Sequence, residues 1–140
     1  PKKEHFKYYK GITAITPNKS ETEEAVGITI KDDSSLKKAA QKLLKKLDVR
    51  SVLITLGDKG ICLIERGRPA MHIPTMARQV YDVSGAGDTV IASYTLAVAS
   101  GASQPQAAYI ANQAAGVVVG KIGTATIKKS ELLQEINRWK

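Results

Sequence analysis

The sequence predicts a layered α/β protein of one domain, and three observations carry that prediction. Strand-like and helix-like segments alternate along the chain. Short apolar runs near its middle are separated by closely spaced glycine turns, as in antiparallel hairpins at a sheet edge. The stretch from Thr89 to Gly120 holds no charged residue and reads as two buried helices. The length of 140 residues suits a single domain that buries about two-thirds of its unfolded surface without a disulfide scaffold. With 43% apolar and 24% charged residues, the chain is neither a disordered tail nor a fibre.

Residues 11–16 read as a strand that Pro17 and Asn18 terminate. Residues 19–26 form a short helix, with Ser20 as N-cap and Glu21, Glu23 and Glu24 in its first turns. Residues 34–47 are the clearest amphipathic helix. Leu36, Ala39, Ala40, Leu43, Leu44 and Leu47 keep a three-four spacing, and lysines fill the solvated face opposite. Residues 49–56 are a buried strand. A second strand at 61–65 turns through Arg66, Gly67, Arg68 and Pro69 into a third at 70–73. The one cysteine, Cys62, lies in the second of these as a buried strand position rather than a reactive thiol.

Gly85, Ala86, Gly87 and Asp88 open a long apolar helix, and a second starts near Gln104. The turn at 100–106 separates them, so neither reaches the roughly 20 residues of a membrane span. An amphipathic tail helix covers Ser130 to Trp139. The basic start, Pro1 to Lys10, has no apolar signal region, so a cytoplasmic protein without a membrane partner is expected. The first strand comes with no opening βαβ unit ahead of it, as it would in the second half of a larger α/β protein.

Four sets of residues carry chemistry. Gly85, Ala86 and Gly87 allow close backbone approach where the first amides of a helix are unpaired, which makes an anion site for a phosphoryl group. Asp88, in the first turn, could accept the proton of an attacking hydroxyl; a Gly-rich turn with a first-turn Asp is also ordinary helix punctuation. Asn18 and Glu21, spaced Asn-x-x-Glu, could place a hydrated Mg²⁺ beside phosphates or could simply cap a helix. Thr55, Leu56, Gly57, Asp58, Lys59 and Gly60 follow a buried strand where α/β sheets hold nucleotides, or form a hairpin turn. Asn112, an amide on an apolar helix, could face a base or satisfy a buried neighbour.

Together these residues resemble the ribokinase-like (PfkB) carbohydrate kinases, over essentially the whole chain but only over the C-terminal half of that layered sheet with flanking helices. The family signature Asp-Thr-x-Gly-Ala-Gly-Asp is matched from Asp82 to Asp88, with Val83 in place of Thr. The resemblance implies that Asp88 is the catalytic base and Gly85, Ala86 and Gly87 the anion hole. It implies Asn18 and Glu21 for Mg²⁺ and phosphate, the 55–60 loop for ATP, and Asn112 beside the adenine. It further implies a monovalent cation, K⁺, at Asp82 and Ser84 with backbone help from Val118, Lys121 and Gly123. The runs Tyr-Lys-Gly-Ile-Thr-Ala-Ile-Thr-Pro-Asn-Lys-Ser-Glu and Ala-Ala-Gly-Val-Val-Val-Gly-Lys-Ile-Gly-Thr are similar to those of the family's heptose 7-phosphate kinases.

That likeness implies ATP-dependent phosphorylation of heptose 7-phosphate at its anomeric hydroxyl, in ADP-heptose and lipopolysaccharide core synthesis. The family's N-terminal half is absent from this chain, a fused nucleotidyltransferase is a common companion, and a homodimer is open to it. Three other readings stand beside this one. They are a kinase for another sugar or a nucleoside, an inert nucleotide-binding fragment, and a basic nucleic-acid-binding domain suggested by the net charge of +8. Against the last, aromatics are only 5% of the chain and no base-reading motif is present.

Overall fold

The computed structural model describes residues 1–76 and 80–138. The chain forms two compact units, Pro1–Gly57 with Ile61–His72, and Asp58–Gly60 with Ile73–Lys140. A mixed four-stranded sheet in the order β1-β2-β3-β4 organises the fold. Its strands are β1 (Ala14–Ile15), β2 (Ser51–Thr55), β3 (Ile61–Glu65) and β4 (Met71–Ile73). β1 runs parallel to β2, with Ile15 opposite Val52. The hairpin β2–β3 is antiparallel, with Leu53 opposite Leu63 and Ile54 opposite Cys62.

The strand expected at 11–16 is confined to two residues for a local reason. Gly11 takes a left-handed backbone (φ +72°), and Pro17 has no N–H to give to a ladder. Backbone bonds continue outside the ladder all the same. Ser51 N–H donates to Thr13 O at 3.2 Å, and Thr55 N–H donates to Pro17 O at 3.0 Å.

In the first unit, α1 (Lys19–Val26) and α2 (Asp33–Leu47) pack on the sheet. All six apolar positions read from the spacing of α2 are buried. They join Phe6, Ile15, Val26, Ile30, Val49, Val52, Ile54, Cys62 and Ile64 in one core. The alternating residues Leu53, Ile61 and Leu63 are buried too, which is why these strands read as continuous apolar runs. Two of the lysines on α2 are more than solvated charge. Lys42 and Lys46 donate to Val26 O (2.7 Å) and Ala25 O (2.6 Å), where the last carbonyls of α1 have no helical partners. A 3-10 helix at Lys3–Tyr8 was not legible in the sequence.

In the second unit, α3 (Ala86–Ala99) and α4 (Gln104–Val119) form an antiparallel hairpin, followed by α5 (Lys129–Asn137). Ser103 caps α4 through a reciprocal bond with Gln106. Small residues on α4, Ala107, Ala108, Ala111 and Ala114, are fully buried and permit close helix approach. The expected end of the tail helix at Trp139 lies outside the described residues. Among the described residues, no helix is long and apolar enough to cross a membrane.

Candidate active site

In the first unit the site residues collect at one end of β1 and β2. Asn18, not Ser20, is the N-cap of α1. Its Oδ1 accepts from Glu21 N–H at 2.8 Å, and its own N–H donates to Glu21 Oε2 at 2.8 Å. The Asn-x-x-Glu pair is therefore a capping box. The other oxygen, Glu21 Oε1, lies 3.2 Å from the amine of Pro1. A bridge between Asn18 and Thr55 ties this cap to the C-terminal end of β2, the end at which parallel strands present ligand sites. Leu56 and Gly57 follow directly, Gly57 with φ +62°.

In the second unit, Gly60 has φ +86°, and a β-carbon on it would come within 2.6 Å of the backbone of Ile73, Pro74 and Thr75. Only glycine fits there. The same segment is held by Asn112, whose Nδ2 donates to Pro74 O at 2.8 Å. Asn112 is buried, and its amide satisfies a neighbouring backbone, the plainer of the two roles read for it. Asp58 and Lys59 stand exposed in the short 3-10 turn Gly57–Lys59.

Gly85 opens α3 in the left-handed region (φ +79°, ψ 0°) as its N-cap. Thr89 closes that first turn, its N–H and Oγ1 donating to Gly85 O at 2.9 and 3.0 Å. The helix start leaves the amides of Gly87 and Asp88 without intrahelical acceptors. A β-carbon at Gly87 would meet nothing within 4 Å, so there is room on the side of the turn where Gly87 sits. Asp88 is exposed at the same turn.

A few residues away, Asp82 Oδ1 accepts from Ser84 N–H at 2.8 Å. The Ser84 backbone and hydroxyl, with the Gly123 amide, hold the Asp82 carboxyl below its ordinary range. Tyr81 and Asp82 N–H both donate to Val119 O, and Lys121 N–H donates to Val118 O at 3.0 Å. These bonds bring Asp82, Ser84, Val118, Lys121 and Gly123 to one corner. The Lys121 ammonium is drawn off by Glu131 at 2.8 Å. The corner holds the Asp82 carboxylate, an oxygen donor of the kind that suits a hard cation. Among the described residues, no group of three His, Cys, Asp or Glu side chains forms a metal cluster.

One residue escaped the sequence reading. Gln113 lines a cavity of about 430 Å³ with Met76, Tyr81, Gly116, Gly120 and Glu135. Its amide is fully buried, and neither Nε2 nor Oε1 has a hydrogen-bond partner. The signal was an amide pair, Asn112-Gln113, on an otherwise apolar helix.

The model of the pfkB family of carbohydrate kinases matches residues 2–131. The bifunctional protein HldE of Shewanella amazonensis is 50% identical over 136 residues, 97% of this chain but 28% of that protein. Arabidopsis thaliana ribokinase, solved with ribose and ATP, superposes with a TM-score of 0.82 at 28% identity, over 89% of this chain and 40% of that one. The ribokinase of Thermotoga maritima gives 0.80 at 26% identity, over 96% and 44%. The chain thus spans under a third of this curated relative and under half of these solved neighbours.

Proposed function

The chain belongs to the pfkB family of carbohydrate kinases, as the C-terminal half of its ribokinase-like fold, and we propose that it serves there as the nucleotide-binding and catalytic half of a heptose 7-phosphate kinase. The observation that carries the reading is the turn from Asp82 to Asp88. It pairs an obligatory left-handed glycine, open amides and an exposed carboxylate at one helix start.

When bound, magnesium ATP supplies the γ-phosphoryl group and neutralises part of its charge. The acceptor hydroxyl oxygen forms a bond to that phosphorus as the bond to the ADP oxygen breaks. Asp88 takes the hydroxyl proton. The amides around Gly85, Ala86 and Gly87 face the charge that grows on the phosphoryl oxygens. Asn18 and Glu21, joined by their reciprocal cap, would be the residues to hold the waters of a bound Mg²⁺. The loop from Thr55 to Gly60 carries the nucleotide phosphates, and Asn112 fixes the 73–75 segment beside it. Asp82, Ser84, Val118, Lys121 and Gly123 would hold K⁺. We read residues 1–140 as one domain in a cytoplasmic enzyme.

The acceptor is the one that the resemblance of the sequence runs implies, and the likeness to HldE, a bifunctional protein, supports a fused second activity. The ribokinase neighbour, solved with ribose, supplies the competing acceptor. The test joins this chain to the rest of the kinase portion of the Shewanella amazonensis relative and offers both sugars with ATP. Preference for heptose 7-phosphate is expected, whereas preference for ribose would overturn the acceptor assignment.

A further inference from the structure

Lys121 belongs to the corner that holds Asp82, yet its charge is committed elsewhere. Its Nζ donates to Thr126 O at 3.0 Å and to Glu131 Oε2 at 2.9 Å, with Glu131 Oε1 at 2.8 Å. An ammonium has three donors, and these three acceptors match them. Glu131 is fixed in turn. It lies in the first turn of α5, where a carboxylate is favoured, and its Oε2 also accepts from Lys128 N–H at 2.7 Å. Two residues beyond Lys121, the Gly123 amide bonds the Asp82 carboxyl. The loop between α4 and α5 thus gives Asp82 a neutral donor, while its lysine charge goes to α5.

An ion pair as open as this one, with side chains 31% and 33% exposed, contributes little to stability. Its consequence is electrostatic. Lys121 carries its ammonium on a flexible four-carbon stem, two residues from the amide that bonds Asp82. Released from Glu131, that ammonium is a built-in competitor for any cation the Asp82 carboxylate attracts. We propose that Glu131 is a positioning residue that holds the Lys121 ammonium away from Asp82 and so keeps the corner open to an external monovalent cation. The inference rests on the K⁺ reading of this corner and adds to it a residue outside the ligand set.

Thermal unfolding tests it without an activity assay, because a cation that binds only the folded chain raises its melting temperature with concentration. KCl is exchanged for choline chloride at constant ionic strength, so that general screening cancels. The K⁺ dissociation constant fitted to the rise should increase roughly fivefold or more in Glu131→Gln, as Lys121 occupies the corner for most of the time. Removing the competitor as well, in Glu131→Gln with Lys121→Met, should return the constant to within about twofold of wild type. Equal constants in wild type and Glu131→Gln would overturn the inference alone. So would a double variant no better than the single one, which would make the pair a scaffold. No response to K⁺ in wild type would overturn the K⁺ reading and the inference with it. If Glu131→Gln does not fold, Lys121→Met alone decides. It should keep the wild-type constant, and a lost K⁺ response would overturn the proposal.

Discussion

At the scale of single residues, three small side chains in this fold answer to different demands. A β-carbon at Gly60 would enter the backbone of Ile73, Pro74 and Thr75, so Gly60→Ala should lower stability by about 2–3 kcal/mol in urea unfolding. Gly87 faces open space. Gly87→Val should therefore leave the urea midpoint near wild type while weakening ATP binding by calorimetry, because the added methyls stand where a phosphate must approach. Cys62 makes a pH prediction. Burial, and then the nearby Asp33 charge, raise its thiol from 9.0 to about 11. The stability gained by burying it uncharged is complete below about pH 9 and lost as pH rises toward 11. Wild type should thus lose more stability between pH 9 and 11 than Cys62→Ala, whereas parallel losses would contradict a buried neutral thiol. The glycine-rich runs were legible from the sequence. That Gly60 abuts residues 73–75, and that Asn112 bonds Pro74 O 38 positions away, was not, since neither contact leaves a local pattern.

At the scale of elements, periodicity spoke clearly wherever burial alone decided the pattern. The three-four spacing of α2 gave its buried face directly, because one stripe of a surface helix must face the core. The ends of elements were less clear, because short polar side chains compete to cap them. Asp32 and Asn18 took the caps of α2 and α1, leaving Ser34 and Ser20 inside their helices. Asn18→Ala should cost about 1 kcal/mol of stability by thermal unfolding, and Asn18→Asp should restore most of it. If both variants melted like wild type, the capping box would not hold the motif. Charge was a poor guide to partners. The net charge of +8 that suggested nucleic acid includes Lys42 and Lys46, which close the end of α1.

At the scale of the whole molecule, the chain carries its predicted site residues in two clusters, one in each compact unit. Isolated, it is expected to bind magnesium ATP weakly in calorimetric titration, since loops ordered by the rest of the fold would have to be fixed on binding. It should transfer essentially nothing, because phosphoryl transfer depends on an acceptor held in line and water kept out. The sequence made the family legible through the Asp82–Asp88 run. It left the acceptor site illegible, because the chain spans only 28% of its HldE relative. The most direct test measures label passing from γ-labelled ATP to heptose 7-phosphate in the joined kinase, with Asp88 intact and as Asp88→Asn. The account predicts transfer by the intact protein, a loss of roughly 10²–10⁴ in rate for the variant, and ATP affinity changed by only a few-fold. Transfer by Asp88→Asn at the intact rate would contradict it.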